Sequence, residues 1–410
     1  MERRSFVVLC GRLVVWHVEF IAYCIQYYYK TSRTLTNIRI EIEQVDTAGF
    51  DELRKQWDVL LSRSTADPLV MSWPWQRIWW KTFGESSSFR RLKLLCARGP
   101  DGKLIGIAPL YLETNFRFGM RFRRLQFVAN SWRDDSGIRS EYVDFITDVG
   151  HGEAVISAFL RYINEEMRWD EFVICNHWID SQTMVKVDKW CSGGGFIVRR
   201  HEKGFSYRVE LQGDFHDFLG RLNGKARRQI YNQRKQLAER GKVCLRKVTA
   251  ADDIEAAFDT LNDFHKRRWG RPVFAELRKA FHVGIARDWL KRDVLEFTIL
   301  CIDDHPISAL YDLVAGNVKY GIQMGFDSRF DKRLSPAKLH IGYSLESAYD
   351  RGFATFDLLR GTGRDGADYK TRFAQRFRGT ETVQIIRSSM WKLMYRIYDS
   401  ARGKPHRSAG

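Results

Sequence analysis

The chain has 410 residues and carries 67 lysine and arginine residues against 50 aspartate and glutamate residues, a formal net charge of +17. Hydrophobic residues make up 44% of it, which is enough for packed cores and excludes wholesale disorder. The length suits two lobes of about 150–200 residues each. Residues 206–410 carry a net charge of +13 and residues 1–205 carry +4. The second half therefore favours an anionic partner, such as a phosphate ester, a nucleotide, RNA or an anionic membrane surface.

The seven cysteines form no recognisable framework, because they are scattered and include no Cys-x-x-Cys pair. Their odd number in a long chain indicates buried free thiols in a reducing compartment. Since no cysteine pair has a histidine at ligand spacing, we expect no metal site.

Residues 1–37 form an N-terminal extension outside the two lobes. A basic start precedes an apolar stretch, as in a signal peptide, but Arg12, His17 and Glu19 interrupt that stretch. No span of about 20 residues is free of charge, which argues against a transmembrane helix. We interpret the segment as an amphipathic extension or an over-long start, with a membrane-surface helix as the alternative. The expected location is cytoplasmic, with peripheral contact to the inner membrane as a variant of it.

A first lobe is predicted over residues 38–204 from alternating and helical hydrophobic patterns. The predicted strands are 38–42, 92–97, 104–112, 125–128, 142–146 and 171–175, and the predicted helices are 51–61 and 153–167. Between them, the segment from Trp73 to Trp80 is unusually aromatic. We interpret it as core or interlobe packing, with a stacking platform for a base or sugar as the alternative.

The same order of elements returns in a second lobe over residues 205–388. The predicted strands are 205–211, 296–302, 307–315, 319–324 and 355–359, and the predicted helices are 215–240, 252–268 and 336–350. Hairpins that begin near Leu94 and Ile299 match each other, which indicates a duplicated unit. We therefore predict an α+β fold of two tandem lobes, each a mixed, mostly antiparallel sheet flanked by helices. Residues 389–410 follow as a basic helix and tail.

The predicted helix over 215–240 is strongly basic, because residues 221–240 contain seven lysines and arginines against one acid, Glu239. Helical spacing brings Arg227, Arg228, Arg234 and Lys235 to one stripe. Like charges on such a stripe repel one another, and a phosphate held by the arginines would offset that repulsion. An anion site is thus one interpretation, and a solvated helix face is the other.

The segment before the helix over 336–350 is a candidate phosphate cradle. Ser335 is a good N-cap residue, and Pro336 suits the first helical turn. Free amide groups and the positive helix end favour an anion there. The alternative is ordinary capping without a ligand.

Two further segments contain candidate reactive groups. Residues 357–373 run from a strand end into a glycine-rich, charged loop, where Lys370 and Arg372 can hold an anion or Lys370 can steady an oxyanion. His265, near the end of the predicted helix over 252–268, is a candidate base near neutral pH. The alternatives are a purely structural loop and a structural histidine.

Several common catalytic motifs are absent from the sequence. There is no Gly-x-Ser-x-Gly elbow, P-loop, dinucleotide-binding fingerprint or His-Glu-x-x-His motif. Serine hydrolases, nucleotide kinases, dehydrogenases and zinc proteases are all disfavoured as a result.

Taken in order, several short motifs resemble the GNAT-type acyltransferases of the BioF2-like and cellulose-biosynthesis CelD-like group, which are related to the FemAB aminoacyl transferases. They span about residues 40–380 and are Ser72-Trp73-x-Trp75, Trp79-Trp80-x-x-Phe83-Gly84, Gly106-Ile107-Ala108-Pro109-Leu110, Lys225-x-Arg227-Arg228, Arg268-Trp269, Ser335-Pro336 and Tyr369-Lys370-x-x-Phe373. The resemblance implies two GNAT-like lobes and acyl transfer to an amine or hydroxyl. It also implies acyl-CoA as a cosubstrate, with acetyl-CoA the first choice, and no permanently bound cofactor.

The residue patterns and the resemblance together give expected roles. The family pattern Arg/Gln-x-x-Gly-x-Gly/Ala, which binds the CoA pyrophosphate, falls on residues 333–338, where Pro336 and Lys338 replace the glycines. The residues expected at the donor phosphates are Arg333, Ser335, Pro336, Ala337 and Lys338. Those expected at the acceptor or a second anion are Arg227, Arg228, Arg234, Arg268, Trp269, Lys370 and Arg372. The candidate proton carriers are Asp357, Tyr369 and His265.

The leading hypothesis is acyl transfer from acyl-CoA to a polar acceptor, such as a saccharide precursor in polysaccharide or cell-envelope synthesis. One alternative is a FemAB-like aminoacyl transferase that uses charged tRNA. Another is a non-catalytic GNAT scaffold that docks a polysaccharide synthase at the membrane. DNA is not an expected partner under any of them.

Overall fold

The computed structural model describes residues 39–117, 119–133, 137–361 and 369–401. The predicted N-terminal extension, most of the glycine-rich loop after Arg360 and the C-terminal tail lie outside these described residues. Within them, no helix is both long and apolar enough to cross a membrane.

The described residues divide into two units, one made of 39–41 with 98–103 and the other of 42–97 with the described residues from 104 to 401. In the first unit, the described turn closes through Gly102, whose amide donates to the Gly99 carbonyl oxygen at 2.9 Å. The second unit contains every element discussed below as part of a site. The division into lobes at 38–204 and 205–388 stays a prediction.

The strands of the described residues join in a single sheet. They are β1 (Glu41–Val45), β2 (Arg90–Arg98), β3 (Leu104–Arg117), β4 (Met120–Phe127), β5 (Ile146–Thr147), β6 (Glu171–Trp178), β7 (Ile197–Glu210), β8 (Val243–Lys247), β9 (Leu295–Ile302), β10 (His305–Ala315), β11 (Val318–Phe326), β12 (Thr355–Arg360) and β13 (Gln375–Ile386). Their order is β1-β2-β3-β4-β6-β13-β7-β12-β11-β10-β9-β8, with β5 beside β3.

Helices flank this sheet. They are α1 (Thr47–Glu52), α2 (Arg54–Leu61), α3 (Trp73–Trp79), α4 (Gly152–Glu165), α5 (Gln182–Gly193), α6 (Phe215–Arg221), α7 (Gly224–Arg227), α8 (Arg234–Ala238), α9 (Asp253–Trp269), α10 (Leu277–Lys291), α11 (Pro336–Asp350) and α12 (Ser389–Ala401). The predicted α+β class, with a mixed, mostly antiparallel sheet and flanking helices, is confirmed.

The repeated order of elements is visible in the strand pairing. β3 and β4 are antiparallel and β4 and β6 are parallel, just as β10 and β11 are antiparallel and β11 and β12 are parallel. The strands that follow are exchanged: β7 comes after β6 but pairs with β12, and β13 comes after β12 but pairs with β6. Because β7 and β13 also pair with each other, the two predicted sheets become one.

The structure corrects two predicted elements. The strand over 142–146 is wrong, since only Ile146–Thr147 pairs and Tyr142 has a φ of 62°, which interrupts an extended strand. The single basic helix over 215–240 is also wrong. It ends at Arg221, and Asn223 starts a new helix by accepting a hydrogen bond from the Ala226 amide at 2.8 Å.

A π-helical turn, Arg228–Asn232, interrupts the second of these helices. Such a turn adds a residue to the hydrogen-bonded ring, so the basic side chains do not keep one continuous stripe. Gly342 of α11 explains how closely this turn packs, because a Cβ atom at Gly342 would lie 1.9 Å from the Ile230 carbonyl oxygen. The glycine allows the π turn to lie directly against α11.

The aromatic segment after Ser72 forms α3 and a π-helical turn, Trp80–Gly84, and most of its rings are buried. Trp79 lies 5.4 Å from Tyr111 between ring centroids, and Trp75 lies 5.2 Å from Phe281 on α10. The side chains therefore pack α3 between β3 and α10. This arrangement agrees with the interpretation of the segment as core packing.

Candidate active site

The parallel strands β11 and β12 separate after a short region of pairing. Their register runs from Val318 with Thr355 to Tyr320 with Asp357 and then ends. Beyond that point the strands enclose a cavity of about 570 Å³, here called the divergence cavity. Its lining residues are Glu141, Arg268, Trp269, Leu310, Gly321, Ile322, Gln323, Met324, Phe326, Ser335, Ala337, Lys338, Ile341, Phe356, Leu358, Leu359, Arg360, Tyr369 and Lys370.

The divergence cavity has an apolar floor and a polar rim. Ile341, Phe356 and Leu358 are buried core residues that supply the floor. Ser335 and Lys338, at the start of α11, belong to the rim. Such a cavity suits a ligand with an apolar chain and an anionic end.

A second, basic cavity of about 420 Å³ adjoins the first and shares Ser335 and Lys338 with it. Its lining residues are Lys225, Arg228, Gln229, Gln233, Lys332, Arg333, Leu334, Ser335 and Lys338. Five of these side chains are cationic and none is acidic. A site with this composition binds phosphate groups well, and the amino end of α11 adds its free amides and positive dipole.

The cations of the basic cavity are only partly neutralised. Arg333 pairs with Asp331 at 2.9 Å, whereas Lys225 and Lys332 have no carboxylate partner among the described residues. Burial, followed by the charges of Arg372 and Lys225, lowers the pKa of Lys338. An anionic ligand would relieve this repulsion between cations.

Gln229 links two of the predicted site residues. Its Oε1 accepts a hydrogen bond from Lys338 Nζ at 3.0 Å and another from Arg372 Nη1 at 3.1 Å. Arg372, which does not line either cavity directly, is thereby held beside Lys338. No sequence pattern predicts Gln229 or Lys225 as a site residue, although Lys225 belongs to the basic motif Lys225-x-Arg227-Arg228.

Three other predicted residues point to different environments. Arg234 pairs with Glu346 at 2.5 Å, and its guanidinium lies 3.8 Å from the centre of the Tyr343 ring. Arg227 is half-buried and lines neither cavity. Pro336 is buried in the first turn of α11. Only Arg228, of the three arginines expected on one stripe, reaches the basic cavity.

Arg268 and Trp269 form part of the mouth of the divergence cavity. Trp269 is 63% exposed, and the Arg268 guanidinium stacks 4.7 Å from the centroids of both Trp269 and Phe326. Nearby on the same helix, His265 Nε2 lies 3.0 Å from the Met324 carbonyl oxygen, and burial lowers the pKa of this histidine. His265 is not among the residues that line the cavity.

Lys370 closes the end of β12. Its ammonium group donates to the carbonyl oxygens of Leu358 at 2.5 Å and Arg360 at 2.8 Å. The residue between them, Leu359, has a φ of 60°, which is rare for leucine and bends the strand end. Lys370 and Tyr369 both line the divergence cavity, so the ammonium has a structural role that is compatible with contact to a ligand.

Asp357 lies beneath the cavity and is fully buried. Its carboxylate accepts hydrogen bonds from Arg208 Nε at 2.7 Å and from the Leu359 amide at 2.7 Å. Burial raises the pKa of Asp357, and Arg208 opposes that effect. Its contacts place it under the bent strand end, where it holds Leu359 rather than facing the cavity.

Glu141 is the acidic residue of the divergence cavity. Its Oε2 accepts a hydrogen bond from the Arg360 amide at 2.5 Å. Burial raises its pKa, and the charge of Lys370 works against that rise. A carboxyl whose pKa is shifted towards neutrality is suited to accept and release protons. No sequence pattern indicates Glu141 as a site residue, because it lies in an irregular segment distant from β12 along the chain.

A third cavity of about 610 Å³, here called the adjoining cavity, meets the divergence cavity at four shared residues: Glu141, Ile322, Gln323 and Leu359. The three cavities therefore follow one another, from the basic cavity through the divergence cavity to the adjoining cavity. Within the described ranges, no cluster of His, Cys, Asp and Glu side chains is arranged to hold a metal ion.

Residues 224–371 match the family described as acetyltransferase (GNAT) domain. This range includes the helices and strands that line the basic and divergence cavities. The chain is similar in structure to FemX, with a TM-score of 0.58 and 11% identity over 86% of this chain and 99% of FemX. L-PGS from Bacillus licheniformis is similar with a TM-score of 0.47 and 9% identity over 86% and 97% of the two chains. No curated protein sequence matches the chain.

At these identities the likeness to solved structures concerns the fold. Together with the matched domain, it gives the chain a fold of the GNAT acyltransferase type, as the sequence motifs predicted. The narrower grouping with BioF2-like and CelD-like proteins stays a prediction.

Proposed function

We propose that the chain is an acyltransferase that moves an acyl group from acyl-CoA to an amine or hydroxyl of a polar acceptor, such as a saccharide precursor of polysaccharide or envelope synthesis. The main support is the arrangement of three neighbouring cavities. The divergence cavity shares lining residues with the basic cavity at one end and with the adjoining cavity at the other. A donor with phosphates, a flexible chain and a thioester fits the first two cavities in that order. The third leaves room for an acceptor.

In this proposal the donor phosphates lie in the basic cavity, against Lys225, Arg228 and Lys338. The amides at the start of α11 replace the glycine-rich loop of the family pattern, and Lys338 adds a charge where that pattern has a small residue. The chain of the donor then follows the apolar floor of the divergence cavity towards Glu141 and Leu359.

The chemical step follows from groups at the junction of the divergence and adjoining cavities. The acceptor nitrogen or oxygen attacks the thioester carbonyl carbon and loses a proton to Glu141. The carbon–sulfur bond breaks, and the CoA sulfur leaves as a thiol after taking a proton, for which Tyr369 is the proposed donor. Lys370 stabilises the oxyanion, and Asp357 acts as a positioning residue beneath Leu359.

The binding step is tested by the thermal stability of the full chain with acetyl-CoA, longer acyl-CoAs and free CoA. A ligand that binds only the folded state raises the melting temperature. We expect an increase for wild-type protein that is lost in Lys338→Glu. Lys235→Glu, an exposed residue of α8 outside the basic cavity, is the matched control for the change of charge and should keep the increase.

If no CoA compound changes the melting temperature at millimolar concentration, the acyl-CoA proposal fails. A second candidate then gains support, namely an aminoacyl transferase that uses charged tRNA. It is favoured by the exposed cations of the basic cavity, which extend to Lys332 and Arg333 at the protein surface. Its signature is an RNA affinity that falls steeply as salt increases.

A further inference from the structure

The adjoining cavity has walls that are chemically distinct from those of the divergence cavity. Trp75, Phe274 and His282 contribute aromatic surface. Arg278, from the first turn of α10, contributes a cation. Because the cavity meets the divergence cavity at Glu141, a carboxyl group lies at one end of it.

The charged side chains of this cavity differ in how they are paired. Arg139 is fixed by Glu202, and it also donates to Asn176 Oδ1 at 2.9 Å and Thr382 Oγ1 at 2.8 Å. Arg278 has no carboxylate partner among the described residues. It is half-buried, so its charge is less screened by solvent than that of a surface arginine.

Polar atoms around the cavity also lack partners. Ser131 Oγ, Arg139 Nε and His282 Nδ1 are buried without a hydrogen bond within the described part of the chain. Ser131 and His282 are each only 3% exposed. Burial lowers the pKa of His282 to about 3, so this ring is neutral. Among the described residues, the cavity cations without a carboxylate partner are Arg278 and Arg133; Arg133 is exposed and stacks 4.1 Å from the Trp132 ring, whereas Arg278 is half-buried. Unsatisfied buried groups of this kind indicate a polar ligand.

We propose that the adjoining cavity binds the acceptor, and that the acceptor is a small-molecule amine that also carries a carboxylate or a phosphate. The anionic group pairs with Arg278, and the amine lies towards Glu141, where the acyl group would be delivered. This inference rests on the proposed function for the direction of transfer, but binding of the acceptor does not require the donor.

The test is calorimetric binding to the full chain without CoA. Phenylalanine is compared with 2-phenylethylamine, which lacks the carboxylate, and glucosamine 6-phosphate with glucosamine, which lacks the phosphate. We expect that, in at least one pair, the amine with the carboxylate or phosphate binds at least tenfold more tightly than the amine that lacks it. The pair that does so identifies whether the anion is a carboxylate or a phosphate.

The role of Arg278 is tested with Arg278→Gln, which should weaken binding of the amine that carries the carboxylate or phosphate at least tenfold and leave binding of the amine that lacks it unchanged. Arg271→Gln removes one exposed charge nearby without altering the cavity and should bind as wild type does. Unchanged melting temperatures of the unliganded variants would establish that both are folded.

Equal affinities within both pairs would overturn the proposal. Wild-type affinity in Arg278→Gln would also overturn it, as would an absence of binding by both phenylalanine and glucosamine 6-phosphate at millimolar concentration. Acyl-CoA binding by the same samples is measured separately. A chain that binds acyl-CoA but fails these tests retains the proposed function and loses only the assignment of the acceptor.

Discussion

The two parallel strand pairs of this sheet have the same topology but different contents. Where β4 and β6 separate, Trp132 packs against Val173 and Cys175 of β6, and its backbone is hydrogen-bonded to the side chains of Arg124 and Gln126 of β4. Where β11 and β12 separate, the space is a cavity of about 570 Å³. One divergence is therefore closed by the protein itself, and the other is open to a ligand.

The buried carboxyl groups at the two divergences also differ, in the direction of their pKa shifts. Glu171 of β6 is 2% exposed, and although burial tends to raise its pKa, Arg124 and further hydrogen bonds lower it. Beneath the open divergence, burial raises the pKa of Asp67 to about 6, and Tyr320 donates to this carboxyl at 3.0 Å. The closed divergence is built for stability, whereas the open one retains carboxyl groups that can exchange protons.

The largest expected effect is at the closed divergence. Arg124 Nε donates to Glu171 Oε1 at 2.5 Å, and both side chains are buried. Arg124→Leu leaves Glu171 charged without its cation, so we expect a loss of about 3–5 kcal/mol in the free energy of unfolding, measured with urea. CoA binding at the other divergence should be unchanged.

The exposed pair of Arg287 and Glu255, 2.9 Å apart, provides the control for Arg124→Leu. Arg287→Leu should lower the free energy of unfolding by less than about 1 kcal/mol. Equal losses in the two variants would contradict the distinction between a buried network and a surface ion pair.

A smaller effect, dependent on pH, is expected for Asp67→Asn. A carboxyl with a raised pKa stabilises the folded state below its ordinary pKa of 3.8, and this contribution is lost as the pH rises through about 6. The free energy of unfolding of the variant, relative to that of wild type, should therefore increase by on the order of 2 kcal/mol between pH 4 and pH 7. The measurement is urea unfolding of both proteins across that range, and a difference that does not vary with pH would contradict the assignment.

The smallest expected effect is on CoA binding when the divergence cavity is partly filled by a larger side chain. A Cβ atom at Gly321 would lie 3.2 Å from Phe356 Cε2, a contact that a small shift of the ring relieves, and a larger side chain there would enter the cavity. Gly321→Val should weaken CoA binding about tenfold, or about 1.4 kcal/mol, and leave the unliganded melting temperature near that of wild type. Unchanged CoA binding would show that the donor does not use this space.

Hydrophobic patterns predicted much of the fold, including the hairpins β2–β3 and β9–β10 and the helices α4, α9 and α11. They missed the helices α5 and α10, whose polar residues obscure the helical hydrophobic period. They also missed the strands β8 and β13, which pair with strands distant in the sequence. The exchange of β7 and β13 has no sequence signal, because it pairs residues about 145 to 215 positions apart in the chain.

The candidate site was predicted in part. Charge and capping chemistry pointed to Ser335 and Lys338, and both lie at the junction of two cavities. The same reasoning placed Arg227 and Arg234 on one stripe, which the helix break and the π turn prevent. Whether Asp357, His265 and Tyr369 carry protons stays a prediction, although the first two lie outside the cavity lining.

The sequence by itself determined the class of fold, the basic character of the second half and the start of α11 as a place for an anion, because these depend on composition and local pattern. Only the tertiary structure decided which divergence is open and which groups meet there. Glu141, Leu359 and Arg278 come from three separate segments, and their proximity depends on how the sheet and helices pack, which no local pattern encodes.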